Sequence, residues 1–476
     1  MKLNVWMLKN QILFIVRIYS IFSYNTDIEG VEFASVHFLQ LLKLKGHLYS
    51  DPSQFPYLLV VYTPLYYYVM LFVVNLFSID VVKDIHSMYI TGRVVSFVLL
   101  FLDFYILVNS INLLVSRFRY KIYLFLLLLL FIPVHFYTFR PDSFKVTCFV
   151  LFLYFSIKYV NSNSFKHLFI GFLFLLTGVL FKQDLLLYGI ILYVTFYIGF
   201  RKRIYLVSVC LLISVLLAII YIVYLWSGIN FYKTLFLYNV QYDSDFHLNI
   251  RLILWYVIRV IPLMVLMFFN LSSRNRFTSV LALLSIFYFW ATNLSMLRMG
   301  SNMNYTYESS ILLLLNGIIY FKERDLILIA HHVYVIFLAI TFTGFLPFWV
   351  NWRMEKIYKT EYINNKKAAT KIQSVVKNNI LFLPNQKEYI FYPKSNLIYG
   401  YDWHYDRYCE LNLTIRLKPK FAKNDIVNKY DENFKNGIVQ YIVLGNGKKS
   451  VEHMAKYYPR FILKEQVENF LIYQFK

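Results

Sequence analysis

About eleven apolar runs of membrane-spanning length alternate with short polar segments along this chain. In lipid, a helix satisfies all the backbone hydrogen bonds of such a run, so the runs predict transmembrane helices. Of the 476 residues, 59% are hydrophobic and 16% are charged, whereas soluble domains are about 45–50% apolar and about 25% charged. The predicted spans cover roughly 5–23, 91–115, 122–139, 143–160, 168–181, 185–200, 204–226, 251–270, 277–295, 309–321 and 326–349.

A further apolar segment, 57–79, decides the predicted topology. If this segment crossed the membrane, every later basic cluster, such as Arg117–Lys121 or Arg201–Arg203, would lie outside. Because basic loops favour the inner face, we expect 57–79 to lie in the outer interface. The N-terminus is then inside and the C-terminus outside.

Beyond residue 350 the chain becomes polar, with a predicted helix at Lys359–Asn378 and predicted strands at Ile380–Leu383, Tyr389–Tyr392 and Ile438–Leu444. The predicted fold is therefore an all-α polytopic membrane protein with a small C-terminal α/β domain on the outer surface. Residues 1–349 form its transmembrane domain, 24–90 its first outer loop with juxtamembrane helices, and 350–476 its outer domain.

The net charge of +22 resides largely in short loops and in the tail. This distribution matches the positive-inside rule and anionic headgroups, so we expect membrane lipids and no nucleic acid as partners. The three cysteines, Cys148, Cys210 and Cys409, have no spacing typical of disulfide frameworks or zinc sites.

Two carboxylates, Asp27 and Glu29, directly follow the first apolar run. Acidic groups at the end of a span are candidate functional groups. They could act as a general base or bind a divalent cation such as Mg²⁺ or Mn²⁺. Alternatively, Thr26 or Asp27 could simply cap a helix that begins near Glu29.

Other polar residues fall on the same predicted outer face. Tyrosines at 62 and 66–68 could line a groove or anchor at the headgroups. Basic side chains at span ends could hold a phosphate, form structural pairs or extend to the headgroups. A polar loop at 300–308 could bind hydroxyl-rich ligands or be an ordinary loop. The candidate binding residues are Tyr62, Arg93, Arg140, Asp142, Lys182, Gln183, Asn304, Tyr305 and Glu308.

Taken in order, these residues resemble the GT-C membrane glycosyltransferases that use lipid-phosphate sugar donors, which include aminoarabinose transferases of lipid A and protein O-mannosyltransferases. The resemblance covers roughly the first 310 residues. It rests on the acidic pair, Tyr62–Tyr67, Arg93, Arg140–Asp142, Lys182-Gln183 and Gly300–Glu308. The catalytic acid pair of that family maps onto Asp27 and Glu29, which Ile28 separates here.

The resemblance implies an inverting transfer of a sugar from a polyprenyl-phosphate donor to a hydroxyl on a glycan, lipid or protein acceptor. The expected location is the extracytoplasmic face of a bacterial cell membrane, with Asp27 as the base. Two alternatives are a flippase of lipid-linked oligosaccharide and an O-antigen polymerase or ligase. The chain lacks the repeat halves typical of many transporters. Its longest outer loop comes first, whereas polymerases and ligases are expected to have theirs late.

Overall fold

The computed structural model describes residues 18–25, 28, 32–49, 60, 62–115, 138–232, 246–296, 303–322, 346–376, 380–383, 436–445, 451–452 and 458–476. Helices dominate these residues. They are α1 Glu32–Lys45, α2 Leu65–Leu76, α3 Ile85–Leu114, α4 Asp142–Ser162, α5 Phe165–Phe181, α6 Leu185–Phe200, α7 Ile204–Ser227, α8 Ile229–Tyr232, α9 Phe246–Leu271, α10 Arg276–Met296, α11 Tyr307–Lys322 and α12 Leu346–Val375.

Helices α3 to α7 and α9 to α11 lie where the apolar runs predicted helices. Among the described residues, five helices are long and apolar enough to cross a membrane: α3, α4 and α10 over their whole length, and α7 and α9 over most of theirs. Helices α5, α6 and α11 are apolar but shorter. The chain is therefore a multi-pass membrane protein, and its predicted count of eleven crossings stays a prediction. The predicted spans 5–23, 122–139 and 326–349 lie largely or wholly outside the described residues.

Local sequence explains several of the helix ends. Pro64 and Pro141 directly precede α2 and α4, with φ of −75° and −70°, near the angle that the proline ring imposes. Asn163, the residue after α4, adopts the left-handed conformation at φ 53°, as asparagine does more readily than most residues. Helix α2 has 12 residues and would extend about 18 Å, short of a hydrocarbon core of about 30 Å.

The helices form a bundle with a continuous apolar core. Helix α4 packs against α3 and α5, while α9, α10 and α11 pack against one another, and α10 also contacts α6. The first turns of α4 and α11 and the loop between α5 and α6 lie together at one end of the bundle, where ion pairs join them.

The tail contains a four-stranded sheet with strand order β1-β2-β4-β3. Its strands are β1 Ile380–Leu383, β2 Tyr441–Gly445, β3 Phe461–Val467 and β4 Phe470–Phe475. Strands β1 and β2 pair in parallel with Ile380 opposite Tyr441. The β3–β4 hairpin is antiparallel with Val467 opposite Phe470, and its turn residue Glu468 has φ 52°.

The predicted strand at Ile380–Leu383 is confirmed, and Ile438–Leu444 overlaps β2. The sequence reasoning missed β3 and β4. The predicted strand Tyr389–Tyr392 lies outside the described residues. Helix α12 begins at Leu346 and contacts β3, so the predicted domain boundary at 349/350 falls within it and stays a prediction.

Candidate active site

A buried ion pair joins the first outer loop to the bundle. Glu32 opens α1, and Arg93 lies in the third turn of α3. Arg93 Nε donates to Glu32 Oε1 at 2.9 Å and Nη2 donates to Oε2 at 2.8 Å, and neither side chain is exposed. Such a two-point contact fixes geometry as well as charge. Glu32 also accepts the Phe139 amide at 2.7 Å.

The same pair holds the backbone on both sides of Asp27. Before it, Arg93 Nη1 donates to the Ser23 carbonyl at 2.8 Å and Nη2 donates to the Asn25 carbonyl at 2.6 Å. After it, the Ile28 amide donates to Glu32 Oε2 at 3.0 Å. Asn25 and Ile28, which flank Asp27 in the sequence, are therefore both hydrogen-bonded to this ion pair.

A second group of charges lies next to this pair. We call Arg140, Asp142, Lys145, Lys182, Asp184 and Glu308 the ionic network. The Asp142 carboxylate lies 3.2 Å from Arg140 Nε and 2.6 Å from Lys182 Nζ. Lys145 Nζ lies 3.0 Å from Asp184 Oδ2 and 2.8 Å from Glu308 Oε1.

Cations and carboxylates alternate in the network and match in number. All its side chains are buried except that of Asp184, which is 19% exposed. Buried charges need this pairing, because an uncompensated ion in a dry interior is strongly unfavourable. Burial alone lowers the pKa of Lys182, but the Asp142 and Asp184 carboxylates outweigh it and hold that pKa above its usual value. Lys182 is therefore an ammonium at neutral pH.

Two tyrosine rings flank Lys182. Its Nζ lies 5.5 Å from the Tyr62 ring centroid and 5.0 Å from the Tyr305 ring centroid, within reach of a cation–π interaction. Backbone contacts hold both tyrosines: the Tyr49 hydroxyl donates to the Tyr62 carbonyl at 2.9 Å, and the Tyr188 hydroxyl donates to the Tyr305 carbonyl at 3.2 Å.

The structure thus brings together six of the predicted binding residues: Tyr62, Arg140, Asp142, Lys182, Tyr305 and Glu308. Gln183 follows Lys182 in the loop between α5 and α6. The backbone of Asn304 lies in the 3₁₀ helix Met303–Thr306, and its side chain lies outside the described atoms. Arg93 pairs with Glu32, beside the ionic network. Glu32 accepts the amide of Phe139, and Phe139 directly precedes Arg140 of the network.

Asp27 and Glu29 themselves lie outside the described residues, so their predicted catalytic and cation-binding roles stay predictions. Across the part of the chain that the structure describes, no three His, Cys, Asp or Glu side chains are grouped as a metal site would need.

Sequence reasoning missed two residues that organise these clusters, Glu32 and Lys145. Glu32 comes three residues after Glu29 and was overlooked beside the Asp27–Glu29 pair. Lys145 had a clearer signal, since it is a charged residue inside the predicted span 143–160. Ionisable residues within spans usually have a buried partner.

Comparisons with known proteins show similarity in structure. No family model and no curated protein matches the chain significantly. The crystal structure of ArnT from Cupriavidus metallidurans bound to undecaprenyl phosphate matches with a TM-score of 0.58 and 11% identity, covering 99% of this chain and 98% of that one. The apo state of ArnT gives a TM-score of 0.60 and 12% identity over the same shares.

The apo oligosaccharyltransferase of Archaeoglobus fulgidus also matches, with a TM-score of 0.52 and 10% identity. The alignment covers 92% of this chain and 69% of that chain. This chain therefore has the fold of the GT-C membrane glycosyltransferases, and the similarity extends through nearly its whole length.

Proposed function

We propose that this chain is an inverting membrane glycosyltransferase, which moves a sugar from a polyprenyl-phosphate donor to an acceptor hydroxyl. One observation carries the proposal: the Glu32–Arg93 pair holds the backbone on both sides of Asp27. A general base must be held within hydrogen-bond reach of the proton that it removes. The shared fold with ArnT bound to undecaprenyl phosphate supports the choice of donor.

In the proposed reaction, the acceptor oxygen attacks the anomeric carbon from the face opposite the phosphate. A new carbon–oxygen bond forms while the bond from the anomeric carbon to the phosphate oxygen breaks. The acceptor proton passes to the Asp27 carboxylate, and the electron pair of the broken bond leaves with the polyprenyl phosphate. Glu29 assists Asp27, either by orienting the acceptor or by helping to hold a divalent cation.

Negative charge on the phosphate grows as its bond to the sugar breaks. Fixed cations in a site that excludes water stabilise such charge best. Lys182 and Arg140 would supply this stabilisation, with Tyr62 and Tyr305 shaping the space around the Lys182 ammonium. Arg93 is fully buried and bound to Glu32 and to two carbonyls, so we assign it to holding the Asp27 segment rather than to the phosphate.

The remaining assignments follow the membrane topology. The donor tail would lie among the helices, with its head group in a cavity at the extracytoplasmic face of a bacterial cell membrane. Gln183, Asn304 and Glu308 would bind donor or acceptor groups directly or through their neighbours. The acceptor is a hydroxyl on a glycan, a lipid or a protein.

A transfer assay tests the proposal. Purified protein in liposomes is incubated with radiolabelled polyprenyl-phosphate sugars and a cell-envelope extract, and the label is followed from the donor to an acceptor. The Asp27→Asn variant should lose transfer but remain folded. The exposed Glu465→Gln, a matched change on β3, should retain it. The transfer rate is then measured after chelation by EDTA, and its loss would indicate that transfer requires a divalent cation.

Three outcomes would contradict the proposal. Full activity in D27N would exclude Asp27 as the base. Movement of labelled donor across the bilayer, without any new glycosidic bond, would indicate a flippase. Joining of preformed lipid-linked oligosaccharides, with no transfer from a single-sugar donor, would indicate a polymerase or ligase.

A further inference from the structure

Helix α12 contacts Ser23 and Tyr24, which precede Asp27, across more than 300 residues of sequence. The Tyr24 amide donates to Glu355 Oε1 at 2.9 Å, and the Ser23 hydroxyl donates to Glu355 Oε2. The Asn25 amide in turn donates to the Ser23 hydroxyl oxygen at 3.1 Å. One carboxylate on α12 thus binds the start of the segment that leads to Asp27.

The Tyr24 ring contacts α3 through His86, and α12 through Tyr362 and Lys359. It stacks on the His86 ring, with centroids 3.8 Å apart and planes 6° from parallel. Tyr362 meets it edge-on at 5.4 Å, and Lys359 Nζ lies 5.5 Å from its centroid. Glu355, Lys359 and Tyr362 are spaced four and three residues apart, which places them on one face of a helix.

Two sets of contacts, from α12 and from α3, hold one backbone segment. From α12, Glu355 binds the hydroxyl of Ser23 and the amide of Tyr24. From α3, Arg93 binds the carbonyls of Ser23 and Asn25. Residues 23–25 are therefore held between the bundle and the helix that leads into the sheet, and Asp27 follows two residues later.

We propose that Glu355 is a positioning residue for the transfer reaction: α12 orients Asp27 by holding residues 23–25, which makes the C-terminal segment part of the catalytic machinery. This inference rests on the proposed function. Its physical reason is geometric, since displacement of a reacting group by about 1 Å can lower a rate about 100-fold.

The position tolerates substitution well enough to be tested. Glu355 lines an open cavity of about 710 Å³ together with Trp352 and Lys356. Removing its carboxylate enlarges a space that solvent can enter and leaves no sealed void in the core. Glu361 offers a matched control, because it is an exposed carboxylate on the same helix.

The test compares full-length E355A, E355Q and E361A in lipid nanodiscs by two measurements. Hydrogen–deuterium exchange of peptides covering residues 20–28 should be faster in E355A than in the wild type and unchanged in E361A. The transfer rate should fall at least about tenfold in E355A with little change in KM for the donor. E355Q, which keeps one acceptor oxygen, should retain more activity than E355A. Adding E355A to D27N should cause no further loss of transfer.

Each result decides a separate point. Unchanged exchange at residues 20–28 in E355A would overturn the inference, as would equal transfer by E355A and E361A. If the wild type transfers no sugar, the proposed function fails. The exchange data would then still decide whether Glu355 holds this segment.

Discussion

Glu32 and Arg93 form a two-point ion pair in which both side chains are fully buried. Removing one partner leaves the other charge buried and unpaired, which typically costs about 3–5 kcal/mol. We expect R93A and E32A each to lower the free energy of unfolding by about that amount. The E32A/R93A double variant should be less destabilised than the sum of the two, as residues in direct contact are coupled. Thermal unfolding in detergent measures the stability of all three variants. A loss of stability in the double variant equal to the sum of the two single losses would contradict the coupling.

Lys182 has both a structural and a proposed catalytic role, and a second substitution can separate them. K182M leaves the buried Asp142 carboxylate without its 2.6 Å partner, so we expect both stability and transfer to fall. Transfer should fall about 100- to 1,000-fold, as for loss of one group that stabilises developing charge. K182M/D142N removes the carboxylate that lost this partner, although it also weakens the contact with Arg140, and should regain part of the stability without regaining transfer. Transfer rates and melting temperatures check this, and recovery of transfer in the double variant would exclude the phosphate role.

Because His37 is buried, we expect the protein to lose stability at acidic pH. Burial, with Lys45 nearby, lowers the pKa of His37 from 6.5 to about 3. The unfolded chain therefore binds a proton below about pH 6.5 that the folded protein does not. The contribution of neutral His37 to the free energy of unfolding is fully present above about pH 6.5. It falls by about 1.4 kcal/mol for each pH unit below that value, until about pH 3. Melting temperatures of wild type and H37Q between pH 7 and 4.5 should converge on acidification, and parallel curves would contradict the assignment.

Gly92 gives α3 room to approach Phe139. A Cβ at residue 92 would overlap the Phe139 ring, and the Phe139 amide is bound to Glu32. Overpacking of this kind typically costs about 1–3 kcal/mol. We expect G92A to lower the melting temperature and to weaken transfer by displacing the Glu32–Arg93 pair. G92A/F139L, with a smaller side chain opposite, should recover part of both, and a G92A variant that matches the wild type would contradict the prediction.

The helices could be predicted from the sequence because apolar run length is a local property. The run 143–160 became α4 at Asp142–Ser162, and 185–200 became α6 at Leu185–Phe200. Strand β1 was also predicted, since its four residues form a short apolar run. Strands β3 and β4 were missed: charged and polar residues interrupt the apolar ones in β3, and the hairpin turn at Glu468 carries no glycine or proline.

Most of the charge pairing in the ionic network could not be predicted, since it joins residues far apart in sequence. Lys182 and Asp184 are neighbours in sequence and lie 4.0 Å apart. The shorter contacts are Lys182 with Asp142 and Lys145 with Asp184, at 2.6 and 3.0 Å. Which carboxylate each lysine contacts depends on how α4, α5 and α6 pack, and the periodicity of apolar residues does not show that packing.

The sequence alone determined that this chain is a polytopic helical membrane protein with acidic and basic groups at its span ends, because hydropathy and charge act locally along the chain. Only the tertiary structure decided which charges meet. Glu32 reaches Arg93 across 61 residues and Lys182 reaches Asp142 across 40. The physical reason is burial: a charge enclosed in the bundle needs a partner, and the packing of the helices selects which one.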